Sequence, residues 1–392
     1  MPIPPLRHHP DNPRHVNDSP LLPIHLAAGA RMTDPASGPP ALLTYGDVPA
    51  EYRAGMEGAL LFDETTRGCL RVQGSDATTF LHRLLANDVK GLEPDQGNRN
   101  LLLSAKGKTQ HEFDLVPLAA SEGPGYTLIT PPGLAAGLAV ALDMYLFSDD
   151  VQLVDVSADF AALAISGPTA ANILEEALGI VAPDHPYRPL VAEWQGSPIT
   201  LVALTVAGSP GWRIEADSSV MQALWTALTA GGAQPGGLVA RDALRVEAGQ
   251  GLFGVDLDDT VYPQEARLED AFSLSKGCYI GQEVVAKIDT YGGLNKCLFG
   301  LSVDHDDPVQ AGTRLVRDVD GESRDLGVVT SWSYSFVLDT GMVLAYVKRK
   351  HQATGTAFRL GDTPGTATIV EMPVRSGSVP FTGGAMESAD AT

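Results

Sequence analysis

The chain has 392 residues, of which 27 are Lys or Arg and 48 are Asp or Glu, giving a net charge of −21 and a pI near 4.7. That length suits two or three domains with a sizeable core, and the acidity opposes broad attraction to nucleic acid or anionic lipid. The three cysteines, at 69, 278 and 297, fit neither a disulfide framework nor a zinc spacing. No apolar run reaches the roughly 18 residues of a membrane span, and the N-terminus lacks a secretory leader's apolar stretch, so a soluble cytoplasmic protein is expected.

Residues 1–18 are rich in Pro and His and read as a disordered tail. His8, His9 and His15 have no carboxylate pattern beside them, and no metal site is expected. Within 45–62, Val48, Tyr52, Met56 and Ala59 fall near one helical face. A strand over 70–72 leads to Gly74-Ser75-Asp76, where Ser75 or Asp76 can cap a helix carrying Phe80, Leu81, Leu84 and Leu85. Strands over 100–103 and 113–118 flank a hairpin at Gly107, and an apolar helix covers 134–146. From 151 onward strands (151–156, 160–165, 199–206, 212–215) alternate with helices (169–178, 221–230 and one from 238 that stops at Gly249). Such alternation means an α+β or α/β body rather than a helical bundle. Asp256, Asp258 and Asp259 lack the ligand spacing of a calcium loop and read as a solvated turn. Past Asn295 about six short strands separated by turn signals suit a small closed or Greek-key barrel. Residues 376–392 are rich in Gly, Ser and Ala and read as a second disordered tail.

The densest chemistry lies in Ser275-Lys276-Gly277-Cys278-Tyr279-Ile280-Gly281-Gln282-Glu283. A cation two residues from an exposed thiol favours the thiolate. So does a following helix N-terminus, which Val284, Val285 and Ile288 suggest. Buried in apolar surroundings, the same cysteine is inert, and spacing does not choose between the two.

The string KGCYIGQE resembles the signature of the YgfZ family, folate-binding proteins related to the T protein (GcvT, aminomethyltransferase) of the glycine cleavage system. SPLLPIHLAAGARM resembles the opening of T proteins. GSDATTFLHRLLANDV with Pro94-Asp95-Gln96-Gly97, the element Leu142-Asp143-Met144-Tyr145-Leu146, GVVTSWSYS and LAYVKRKHQATGT resemble later landmarks, so the likeness runs from about 19 to 375. It implies an α+β, three-lobed folate-binding fold around a central channel: a core of two interleaved subdomains over 19–293 and a C-terminal β-barrel over 294–375. Tetrahydrofolate, or a derivative of it, is the implied cofactor.

Three positions bear on the implied site. Where T proteins carry a Gly-Gly-x-x-Asp-Asp hairpin, this chain has Gly107-Lys108-Thr109-Gln110-His111-Glu112, so His111 and Glu112 replace the paired acids. Arg213 stands where T proteins place a folate-contacting Glu. Arg241 stands at the family's folate-contacting arginine, its other reading being a surface salt bridge within a helix. The resemblance thus gives Cys278, Lys276 and Glu112 as catalytic candidates and Arg241, Arg213, Gln282 and Tyr279 as folate contacts. The function implied is that of a folate-binding accessory protein supporting iron–sulfur cluster assembly or repair. Its partners would be iron–sulfur enzymes or assembly factors, its effects on tRNA modification indirect, and it would make no large nucleic-acid or membrane contact. A single thiol does not hold a cluster, since such centres take four cysteines. The alternative is an aminomethyltransferase with Glu112 as its acid, and a third reading is an interaction protein with a vestigial pocket.

Overall fold

The computed structural model describes residues 19–34, 40–361 and 363–375. The tails expected at 1–18 and 376–392 lie outside the described residues.

In the strand Gly68–Gln73, Leu70 and Val72 are buried while Arg71 and Gln73 are not, the period-two pattern of a half-buried strand. Those apolar residues pack on Phe80, Leu81 and Leu84 of the helix Ala77–Leu84 and on Leu138 and Leu142 of the helix Ala135–Asp143. The strand belongs to a five-stranded antiparallel sheet in the order Asn98–Leu103, Thr109–Pro117, Gly125–Thr130, Gly68–Gln73, Gln152–Asp155. A second sheet runs Leu190–Trp194, Ser197–Val206, Ser209–Asp217, Phe160–Ser166, Leu60–Asp63, Gln234–Pro235, with only the last pair parallel.

The two sheets repeat one plan. In each, an opening strand turns through a glycine (Gly74, Gly167) into a helix (Ala77–Leu84, Ala170–Leu178). A hairpin and a returning strand follow, then a second helix (Ala135–Asp143, Met221–Ala230), and the four strands pair in the same order.

The helix expected over 45–62 is two elements. Asp47 caps the helix Val48–Glu57 by accepting from the Ala50 amide at 3.0 Å, and Gly58 ends it. Leu60, Leu61 and Phe62 are all buried in the strand Leu60–Asp63. A continuous apolar run has no single helical face to offer, and it suits an inner strand covered on both sides.

The barrel closes in the order Lys296–Val303, Thr340–Lys348, Glu322–Ser335, Arg314–Val319, Ala357–Leu360, Thr366–Ile369 and back to the first strand. Leu301, Val343, Phe358 and Leu360 fill it. Its junction with the sheets is the helix Leu238–Glu247. Arg245 on that helix bonds Asp242 at 2.6 Å, Asp256 at 2.8 Å and the barrel's Ser331 at 2.9 Å, while Glu247 accepts from Tyr52 at 2.6 Å and Ser335 at 2.7 Å. Arg245 is ion-paired with Asp242 and Asp256, and the buried Glu247 is held by neutral hydroxyls, so each buried charge is hydrogen-bonded, as burial requires. Asp256 is therefore no member of a solvated turn: at 3% exposure it is an inter-lobe anchor that also bonds Thr330 and the Leu252 amide. No described helix is long and apolar enough to cross a membrane.

Candidate functional site

Where the two sheets and the barrel meet lies a cavity of about 620 Å³. Its polar end is built from strand periodicity. Alternate residues of a strand share a face, so Glu112 and Asp114 of Thr109–Pro117 both line the cavity, while His111, one residue before Glu112, does not. Arg99, on the neighbouring strand, gives two bonds to Oε1 of Glu112, one of them at 2.7 Å from Nε, and reaches Asp270 at 3.3 Å. Asp114 is held by Arg213 of the other sheet, whose Nη1 donates to Asp114 Oδ2 at 2.5 Å and whose Nε donates to Glu215 at 2.7 Å. Arg213 is fully buried behind the cavity wall, and the two carboxylates hold its guanidinium charged against the cost of burial.

A second arginine cluster forms at the turn after Leu60–Asp63. Glu64 is buried and accepts from Arg67 Nε at 2.6 Å and from Arg241 Nη2. Burial alone would raise the Glu64 carboxyl; Arg67 and Arg241 outweigh it and hold the group well below the usual carboxylate range. Arg241 projects from the helix Leu238–Glu247 over the Phe62 ring at 5.2 Å and lines the cavity, so it is not an arginine of the outer surface. Tyr187 completes this end; burial, and then the nearby Asp114, push its phenol well above its ordinary value, so it stays a neutral donor. At the other end Arg267 lies over Phe299 at 4.5 Å and donates to the Leu298 carbonyl at 2.7 Å. The last wall is the segment Val370–Pro373, pinned by Arg375, which bonds the carbonyls of Leu244 at 3.1 Å and Ala207 at 2.8 Å and the Ser209 hydroxyl at 2.8 Å.

The structure therefore brings Glu112, Arg213 and Arg241 together. It places Lys276, Cys278, Tyr279 and Gln282 outside the cavity lining. Cys278 is exposed. Lys276 donates to the His82 carbonyl and lies 5.1 Å from the Tyr279 ring centre, and burial draws its ammonium down to about 8. Tyr279 is buried with its hydroxyl unpartnered among the described residues, and Gln282 opens the helix Gln282–Tyr291. Gly281 fixes this placement: a Cβ there would sit 2.5 Å from the Ser104 carbonyl oxygen, so only glycine lets the segment lie flat on the hairpin at 104–108. Cys69 is buried and its thiol pushed up by burial, while Cys297 is half-buried.

Sequence reasoning missed Asp114, Glu215, Glu64, Arg67, Arg99, Tyr187 and Arg267. The first two stand two residues beyond Glu112 and Arg213 on the same strands, so the period of two could have found them. The others come from turns and neighbouring elements that only the fold brings together.

The GCVT N-terminal domain model matches residues 21–276, and the glycine cleavage T-protein C-terminal barrel domain model matches 296–374. An aminomethyltransferase of Saccharopolyspora erythraea is 30% identical over 363 residues, covering 90% of this chain and 96% of the relative. One from Symbiobacterium thermophilum is 31% identical over 357 residues, covering 86% and 91%. The crystal structure of the glycine cleavage system aminomethyltransferase T from Bartonella henselae is similar at a TM-score of 0.79 and 26% identity, covering 92% of this chain and 98% of that one. These findings overturn the expected role in iron–sulfur cluster assembly, and with it the iron–sulfur partners and tRNA effects. The relatives that match nearly end to end are named aminomethyltransferases, and the thiol on which the expectation rested lies outside the cavity. Tetrahydrofolate is the cofactor this family uses. Matched across both domain models, the chain belongs to the glycine cleavage T-protein family.

Proposed function

We propose that the chain is an aminomethyltransferase that passes a one-carbon unit from an aminomethyl donor to tetrahydrofolate held in the cavity. The observation that carries this reading is the pair of carboxylates on one strand face, each clasped by an arginine through one oxygen: Glu112 through Oε1 and Asp114 through Oδ2. Each keeps a second oxygen without an arginine. The transfer breaks the donor's carbon–sulfur and carbon–amine bonds and joins that carbon to two folate nitrogens; the two protons those nitrogens lose go to the departing thiolate and the departing amine. A positioned carboxylate can carry each in turn. Arg241, fixed by Glu64 and backed by Phe62, suits a carboxylate or carbonyl of the folate through its fork. Arg213 touches no substrate in this reading and positions Asp114.

The cavity fits such a ligand in size and character: about 620 Å³ lies within the range of small-molecule sites, with arginine and tyrosine donors at one end and Phe299 at the other. Within the family, KGCYIGQE supports a likeness in sequence to the YgfZ branch, while the activity proposed here follows the aminomethyltransferase relatives. The test is ammonia release from an aminomethylated lipoyl carrier in the presence of tetrahydrofolate. Activity that falls by about 100-fold or more in Asp114→Asn or Glu112→Gln is expected. No ammonia above the blank at any enzyme level defeats the proposal.

A further inference from the structure

A second concavity, of about 320 Å³, opens on the barrel between Gly293–Asn295 and Lys348–His351. It shares no lining residue with the cavity above. In a chain of net charge −21, its walls are basic. Lys348, Arg349 and Lys350 are exposed, and among the described residues none pairs with a carboxylate. Three acids of the neighbouring hairpin are already engaged: Asp325 with Arg314 at 3.6 Å, Glu322 with Arg324 at 3.2 Å and Asp318 with Arg359 at 3.2 Å. Lys348 donates to the Asp325 carbonyl at 2.7 Å.

Strand register sharpens the imbalance. Lys296 stands directly opposite Lys348, and Arg317 directly opposite Arg324. Like charges in facing positions destabilise a sheet, and this end of the barrel carries two such pairs. Burial, and then Arg317, Lys348, Lys350 and Arg324, push His351 below its ordinary value, so all four cations crowd one imidazole. Beside them, Gly292 and Gly293 both have left-handed φ, +64° and +132°. The Arg349 amide donates to the Asn295 carbonyl at 2.9 Å, tying the glycine loop to the basic turn, and a Cβ at Gly292 would lie 3.5 Å from the Arg349 guanidinium.

A compact, multiply charged anion would relieve this repulsion. A long polyanion would not be favoured, because the chain's net charge of −21 opposes it. We propose that this concavity binds a phosphoryl group, either as inorganic phosphate or as the terminal phosphate of a small ligand. Arginine and lysine donors converging on a glycine loop match phosphate oxygens, and the volume is that of a small-ligand site.

The test is calorimetric titration of the full chain with inorganic phosphate, with ADP and with triglutamate, in chloride buffer. Wild type is compared with the double variant Arg349→Gln/Lys350→Gln. Both side chains are exposed, so unchanged thermal unfolding and unchanged tetrahydrofolate binding confirm an intact fold. Saturable binding of phosphate or ADP at one site per chain is expected, weakened by roughly 10-fold or more in the variant, and the tighter of the two identifies the source. Absence of saturable binding, equal affinity in the variant, or tighter binding of triglutamate than of either phosphate ligand overturns the proposal. None of these readouts depends on aminomethyl transfer.

Discussion

Replacing Arg213 with methionine removes the cation bonded to both Asp114 and Glu215, at 2.5 and 2.7 Å, and leaves a side chain of similar reach without charge. Arg213 is fully buried, and Glu215 behind it is buried too. Breaking a buried ion pair by removing one partner costs about 3–5 kcal/mol, and here two carboxylates lose the same partner, so the upper half of that range is expected at neutral pH. Two carboxylates left sharing a site raise the pKa of one of them. The folded variant then binds a proton that the unfolded chain, with ordinary carboxylates near about 4, does not. Stability relative to wild type therefore recovers as the pH falls from neutral toward about 5. Urea unfolding followed by tryptophan fluorescence across that window measures the gap. Adding Asp114→Asn and Glu215→Gln to the variant removes both orphaned charges and should restore most of the loss without any pH dependence. A loss below about 1 kcal/mol at neutral pH, far under the cost of a broken buried pair, or one that does not shrink in acid, refutes the reasoning.

Glu64 carries a linkage of the usual carboxylate sign. Its folded value lies below the ordinary 4.5, so the stability it contributes is complete above that value and is lost as pH falls through the lower folded one. Glu64→Gln should flatten that acid limb of the urea midpoint against pH; an unchanged limb would show that the two arginines do not hold the charge. Gly281→Ala puts a side chain at φ +81° with its Cβ 2.5 Å from the Ser104 carbonyl oxygen, and should cost at least about 2 kcal/mol in the same unfolding assay. Alkylation of the folded chain by iodoacetamide, read by mass spectrometry, should label Cys278 first and Cys69 only on unfolding, since one is exposed and the other buried with its thiol pushed up. Early labelling of Cys69 would mean that the five-stranded sheet opens locally.

The barrel was readable because its strands advertise themselves. In Ala357–Leu360 burial alternates residue by residue, and Gly361 follows at the turn, as six short strands separated by turn signals require. At three strands the reading failed. Leu60, Leu61 and Phe62 form an unbroken apolar run that was taken into a helix, while Gly125–Thr130 and Leu190–Trp194 carry no clean period and were not anticipated. The repeated plan of the two sheets left almost no trace, since Gly74-Ser75-Asp76 and Gly167-Pro168-Thr169 share only the glycine that the turn requires. At the site, Arg241 could be placed by resemblance and Asp114 by strand period. Nothing local marks Glu64 or Arg267, whose importance lies in what packs against them. For Cys278 the neighbouring lysine said something about chemistry and nothing about which side of the hairpin the segment would cover.

The wall formed by Val370–Pro373, with its pin at Arg375, follows both sheets, the polar end and every strand of the barrel in chain order. A variant cut before Val370 would keep all of those elements yet leave one side of the cavity unwalled. Such a truncation is expected to loosen the grip on folate, because enclosure is part of what holds a small ligand.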